Sequence, residues 1–281
     1  MLSETLSFRI FRWVVITIVA LFVILPVYVM VTSALKPLGD VLGSFQWWPS
    51  TLTIQPFIDM WTTVPLGLYF FNSAVVSLTA TLFSVIIAIF ASYAISRYAF
   101  KGRNVLAGAT LATQMLPGLL FLLPLFLIFV NIDKLLGFTL LYQTRLGLIV
   151  TFLTFTLPFS IWMLTGFLNG IPKDLDEASR VDGAGTLTTL FRIIVPVARP
   201  GIIAVAVYSF MTAWGEILFA SQMTNADTKT LSIGLQGYSS EVSVAWNQIM
   251  AASLAVSVPV VIAFLLLQRY IIAGLTSGSV K

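Results

Sequence analysis

The sequence predicts an all-α membrane protein with six transmembrane helices, and three observations carry that reading. Of its 281 residues, 58% are hydrophobic and 9% charged, with a mean hydropathy of +0.99. Soluble domains average about 25% charged residues, so too few are present to cover a water-facing surface. Six stretches reach the roughly 20 mostly apolar residues that a bilayer-spanning helix needs, and none alternates with the period of two that marks a barrel strand. A large soluble enzyme, a disordered chain and a nucleic-acid binder are poor readings of such a composition. The absence of Cys and His also removes disulfide frameworks, the usual zinc ligand set and the usual general base.

The first span is Trp13–Ser33. Its apolar run exceeds that of a signal peptide and no small-residue cleavage site follows, so it reads as a retained anchor. Lys36–Leu66 is an external segment in which Pro37, Pro49, Pro56 and Pro65 favour extended chain with at most short helices. The remaining spans are Leu68–Ser96, Val105–Ile132, Leu146–Phe167, Ile202–Gln222 and Ile249–Ile272. All are apolar on every face, which suits lipid and helix contact. Pro26, Pro117, Pro124, Pro158 and Pro259 fall inside spans. Such breaks suit helices bending round a cavity, although Pro is also common in inert spans. No internal repeat or composition shift marks a second domain, so the chain reads as one membrane domain over residues 1–281 with a core of about 68–272.

The placement of Lys and Arg sets the expected orientation. With the N-terminus in the cytoplasm, the inner segments carry Arg9, Arg12, Arg97, Lys101, Arg103, Lys173, Arg180, Arg192, Arg199, Arg269 and Lys281. The outer ones carry only Lys36, Lys134, Arg145 and Lys229. Both termini are therefore expected inside. Trp47, Trp48, Trp61 and Trp246 then lie on the outer side, where Trp anchors at the headgroup level; stacking on a sugar is the alternative role.

Between the fourth and fifth spans the pattern changes. Lys173, Asp174, Asp176, Glu177, Arg180 and Asp182 crowd into one short stretch that starts after Pro172 and ends at Gly183. Pro172 can open a helix, and acids in the first turn offset its positive end. Leu175, Ala178 and Val181 give it one apolar stripe, and Gly183 allows the left-handed turn that commonly stops a helix. A second run, Thr186–Val195, places Leu187, Leu190, Phe191 and Ile194 at helical spacing before Pro196. Periodicity alone leaves two readings open: a solvated surface helix, or a docking element.

Glu177-Ala178-Ser179, then three residues, Gly183, nine residues, and Ile193-Ile194-Val195-Pro196 resembles the EAA motif of binding-protein-dependent ABC importer permeases. Every spacing is met; Ser179 replaces the second Ala and Val195 a Leu. Further similarity to the carbohydrate-importer branch lies in Asn72-Ser73, Met115-Leu116-Pro117 with Pro124-Leu125, Leu157-Pro158, Trp214-Gly215-Glu216, Thr230–Leu235, Met250-Ala251-Ala252 and the tail Gln268–Gly278. The plan is similar to the maltose-permease type of second subunit. Gly215 stands where that branch usually has Asn. The resemblance implies the type I ABC importer permease fold in a bacterial or archaeal inner membrane, with 171–196 as a cytoplasmic coupling loop. It implies ATPase contact through Asp176, Glu177, Ala178, Ser179, Arg180, Asp182, Gly183, Ile193 and Pro196. It further implies a second permease subunit, two ATPase subunits that hold the ATP and Mg, an extracytoplasmic substrate-binding protein, and a sugar or oligosaccharide as cargo. The loop would then act as a lever that rocks the spans when the ATPase dimer closes.

No G-x-x-x-x-G-K-[ST] phosphate loop occurs in the sequence, so no ATPase, catalytic residue, metal or cofactor is expected on this chain itself. Glu216 is the single acid within the expected spans. It either faces the translocation path or a subunit interface, or sits near the outer end and reaches water. Asn72, Gln114 and Trp214 are path candidates that could equally be helix-packing residues. An ion-coupled secondary transporter would want more membrane acids, and an intramembrane enzyme lacks paired acids. A polyol or glycerol-phosphate importer is the alternative within the class, although a phosphate ester would favour Lys or Arg in the spans.

Overall fold

The computed structural model describes residues 5–240 and 243–277, with side chains as far as Gln268. Gly278 and Lys281, used above for the tail similarity and the charge distribution, lie outside them, and so does the side chain of Arg269. In chain order the helices are α1 Leu6–Ala34, α2 Leu38–Leu42, α3 Gln55–Thr63, α4 Leu66–Arg97, α5 Arg103–Met115, α6 Leu122–Leu136 and α7 Arg145–Asn169. They continue with α8 Asp174–Val181, α9 Thr186–Thr189, α10 Val195–Val197, α11 Arg199–Gly215, α12 Leu218–Met223, α13 Leu231–Gly234 and α14 Trp246–Ser277. No strand forms among the described residues; Ser239 and Val244 make an isolated antiparallel bridge.

Five of these helical stretches are long and apolar enough to cross a membrane: Leu6–Ala34, Leu66–Arg97, Gly118–Leu136, Arg145–Asn169 and Trp246–Gln268. A sixth arises when Thr186–Val197 and Arg199–Gly215, bent by 79°, count as one span. The bend lies at Ala198, whose ψ of 0° leaves helical geometry, between Pro196 and Pro200, which have no N–H for the helical ladder.

Two expected spans are corrected. Val105–Ile132 is not continuous: α5 ends at Met115, Leu116 turns to ψ 134°, and Pro117 leads into a short 3-10 turn, Gly118–Phe121, before α6. A residue before Pro is pushed out of the helical region, which accounts for the break. Ile202–Gln222 is broken as well. Helix α11 stops at Gly215, Glu216 is extended with ψ 127°, and α12 restarts the helix at Leu218.

The chain forms two compact units, one of the part up to Leu66 with Gly234–Val258, the other of Gly67–Ile233 with the part from Pro259. In the first unit, Tyr238 donates its hydroxyl to the Met60 carbonyl at 2.6 Å, and Asn247 donates to the Lys36 carbonyl at 3.3 Å. Lys36 is buried and donates its ammonium to the Gln46 carbonyl. Trp47, Trp48, Trp61 and Trp246 are exposed, as is most of α1.

In the second unit α7 is the central helix. One end of its core joins Val76 and Ala80 of α4, Phe129 of α6, Leu148 and Phe152 of α7, and Phe219 and Met223 of α12. The other joins Ala88 and Tyr93 of α4, Leu164 and Leu168 of α7, Leu190, Ile194 and Val205. Between them Ser84 of α4, Ser160 of α7 and Ser209 of α11 meet, fully buried, with hydroxyl oxygens 3.0, 3.1 and 3.2 Å apart. Small side chains allow the close approach, and the hydroxyls bond across helices that have no water to turn to. Gly201 has a similar packing reason, since a Cβ there would stand 2.6 Å from the Phe167 ring.

Candidate functional site

The charged loop folds as its residue types direct. Asp174, Asp176 and Glu177 occupy the first turn of α8 and Arg180 the last, each at the dipole end that favours its charge. At the C-terminus Gly183 has φ +80°; its N–H donates to the Arg180 carbonyl at 3.0 Å and that of Ala184 to the Ser179 carbonyl at 2.9 Å. These are the paired bonds of a Schellman stop, which leaves the chain free to turn into α9. Residues 190–194 then form a π-turn ahead of α10.

The two faces of α8 differ in kind. Leu175, Glu177, Ala178, Arg180, Val181 and Asp182 are exposed, Val181 to 87%, so the apolar stripe points outward. Asp176 and Ser179, grouped above with the expected ATPase contacts, face inward and are buried in the chain. Asp176 accepts an ion pair from Arg97 Nε at 2.9 Å and a hydrogen bond from the Tyr93 hydroxyl at 2.8 Å. Arg97 also donates to the carbonyls of Leu168 and Ile171, both at 3.2 Å, capping the end of α7. The hydroxyls of Ser179 and Thr189 are hydrogen-bonded to each other at 2.5 Å, a tie from α8 to α9 that an Ala in place of Ser179 would lack. Ile193 is half-buried and Pro196 exposed.

The four path candidates have different hydrogen-bond and ring partners. Asn72 is fully buried and acts as a clamp. Its Nδ2 donates to the carbonyls of Asp227 and Lys229 at 2.8 and 2.9 Å, while its Oδ1 accepts from Arg145 Nε at 2.8 Å. The Arg145 guanidinium also lies 5.3 Å from the Phe71 ring centroid, a favourable cation–π geometry. Trp214 is buried between Phe70 and Phe210, at centroid distances of 5.6 and 5.3 Å. Gln114 is exposed and donates to the Phe155 carbonyl at 3.3 Å.

Glu216 takes a role that neither earlier reading contained. Its two carboxylate oxygens accept the N–H groups of Phe219 and Ala220, each at 3.0 Å, and so cap α12. Its own carbonyl accepts from Ser232. Gly215 is exposed, and nothing lies within 4 Å of where its Cβ would stand, so packing does not require glycine there.

Sequence reasoning missed Tyr93, Arg97 and the serine triad as interacting groups. Arg97 entered only as one more inner positive charge. The available signal was its place directly after an apolar run, where a guanidinium can turn back onto carbonyl ends. The three serines were visible only as isolated small polar residues in three different spans.

The comparisons agree with one another. The family model for binding-protein-dependent transport system inner membrane components matches residues 80–277. The chain is 36% identical over 269 residues to the inner membrane ABC transporter permease protein YcjP of Escherichia coli, covering 93% of this chain and 94% of that one. It is 33% identical over 273 residues to the trehalose transport system permease protein SugB of Mycobacterium tuberculosis, covering 96% and 97%. It is 32% identical over 276 residues to the diacetylchitobiose uptake system permease protein DasC of Streptomyces coelicolor, covering 96% of both. Among solved structures, a chain of a bacterial ABC transporter involved in import of the acidic polysaccharide alginate superposes with a TM-score of 0.81. It shares 19% identity and covers 96% of this chain and 100% of that chain, which establishes a shared fold.

Proposed function

Because the chain belongs to the family of binding-protein-dependent transport system inner membrane components, we propose that it is the permease subunit of an ATP-driven importer for a sugar or oligosaccharide. It is a multi-pass inner-membrane transport subunit. The uptake systems named for its relatives, for trehalose and diacetylchitobiose, support a glycoside cargo over a polyol, a glycerol phosphate or an ion-coupled mechanism. We read residues 1–281 as one permease domain with both termini in the cytoplasm, paired with a second, related permease. A substrate-binding protein delivers from outside, and two ATPase subunits, which hold the ATP and Mg, dock inside.

One observation carries the coupling part of this reading. Helix α8, in which the Glu177–Pro196 motif begins, is stopped at Gly183; its inner face is bonded to the chain while its outer face presents Leu175, Glu177, Arg180 and Val181. A mixed apolar and charged face of this kind can seat in a groove on a soluble partner, with charge-assisted bonds giving direction. Its displacement on ATP binding would rock the spans between inward- and outward-open states.

The test is co-purification of this chain with the ATPase and the second permease encoded beside it, comparing wild type with Glu177→Ala and Gly183→Pro. Proline cannot adopt the φ of +80° found at position 183. Both substitutions are expected to release the ATPase or abolish hydrolysis stimulated by the binding protein. Intact assembly and stimulation in both would reduce α8 to a solvated surface helix. Uptake of labelled trehalose, maltose and diacetylchitobiose by the reconstituted complex then identifies the cargo.

A further inference from the structure

We infer that the buried joint of Tyr93, Arg97 and Asp176 delivers the displacement of α8 to the membrane helices, a positioning role that rests on the coupling reading of α8 above. The guanidinium of Arg97 serves three parts of the chain at once. It is the last residue of α4, its Nε holds Asp176 on α8 at 2.9 Å, and its Nη atoms donate to Leu168 in the last turn of α7 and to Ile171 just beyond. Tyr93, one turn earlier on α4, holds the other carboxylate oxygen. Ser96 adds a bond to Asn169 Oδ1 at 2.8 Å, so the ends of α4 and α7 are joined twice.

The side chains of Arg97 and Asp176 are 4% and 8% exposed. At that burial, separating the charges leaves each without compensation, so the pair yields far less readily than a surface contact. The guanidinium also combines its charge at Asp176 with Nη donors on two carbonyls, which the compact ammonium of a Lys would not match. A load applied to the outer face of α8 therefore reaches the carboxylate of Asp176 and, through it, the ends of two central helices. Adjacent acids divide the work: Glu177 faces outward to a partner, and Asp176 faces inward to the membrane domain.

The experiment uses the assembled importer with its ATPase, second permease and binding protein in proteoliposomes, and reads sugar uptake per ATP hydrolysed. Asp176→Asn keeps the shape and removes the charge. It is expected to retain the ATPase on co-purification yet lower uptake per ATP about tenfold, within the range that single residues of a coupling network produce. Tyr93→Phe, which removes one hydroxyl and folds readily, is expected to give a smaller fall of about threefold. A purely structural joint would lower yield and melting temperature but leave uptake per ATP unchanged in the complexes that survive; that result in both variants overturns the proposal. So does loss of the ATPase from either variant to the extent seen in Glu177→Ala, because it would place Asp176 in docking. Failure of the underlying reading shows separately, as retained ATPase and unchanged uptake per ATP in Glu177→Ala and Gly183→Pro, and it overturns this proposal with it.

Discussion

Gly147 lies so close to Leu141 that a Cβ on it would stand 1.8 Å from the Leu141 carbonyl oxygen and 2.8 Å from the carbonyl carbon. The obstacle is backbone, and that backbone is itself fixed. Asp133 accepts the N–H groups of Leu140, Leu141 and Tyr142 at 2.9–3.0 Å, and Thr144 caps the first turn of α7 beside it. The loop cannot retreat without losing those bonds.

Gly147→Ala is therefore expected to cost about 3 kcal/mol or to prevent accumulation of folded protein, the upper end of overpacking penalties. Gly201→Ala meets the Phe167 ring instead, which can turn aside, and is expected to cost about 1 kcal/mol. Melting curves of the two purified variants in detergent check the ranking; equal losses would refute it.

The serine triad makes a prediction about proton counting. Ser160 donates to the Thr156 carbonyl at 2.7 Å, so only the protons of Ser84 and Ser209 remain for the three contacts. Two of the three contacts can be hydrogen bonds at any time, and the arrangement can switch between them. Ser84→Ala and Ser209→Ala should each remove one bond and cost about 0.6 kcal/mol, the average for interhelical bonds in membranes. The double variant should cost the sum. A double variant no worse than either single one would show that the hydroxyls do not share bonds.

Removing the Glu216 carboxylate exposes two helix-end N–H groups. Glu216→Ala is expected to destabilise α12 by about 1 kcal/mol, as loss of a helix cap does. Hydrogen exchange at Phe219 and Ala220 should quicken several-fold, while Glu216→Gln, which keeps one acceptor, falls between. Unchanged exchange with a raised KM for uptake would instead place Glu216 on the cargo.

Asn72→Asp separates the two sides of its clamp. A carboxylate still attracts Arg145 but turns an oxygen toward the carbonyls of Asp227 and Lys229, where Nδ2 now donates. The segment 225–229 should loosen, seen as faster exchange of Thr228 and Lys229, while α7 keeps its start. Loss of structure in α7 would mean that Arg145, rather than the clamp, is the main load on Asn72.

The apolar runs were legible because lipid demands them along the whole length of a helix, and the stop at Gly183 was legible because its backbone conformation is local. What stayed hidden depended on partners far along the chain. Asn72 meets residues more than 150 positions away, and no spacing marks that pairing. Asp176 and Glu177 are neighbours of the same chemistry, and only tertiary packing decides which one faces inward. Proline was ambiguous for the same reason. Pro158 sits inside a continuous α7, whereas Pro117 follows the end of α5; of the two, a Gly follows only Pro117, a turn signal that the reading of Val105–Ile132 as one span passed over.

The turn at Gly183 carries a consequence of handedness. Nothing lies within 4 Å of where its Cβ would stand, yet its φ is +80°. The exclusion of other residues is therefore chiral and not steric crowding by neighbours. An L-alanine would be strained there by about 1 kcal/mol, while its mirror image, D-alanine, introduced by semisynthesis, favours positive φ and would stiffen the stop beyond what glycine allows.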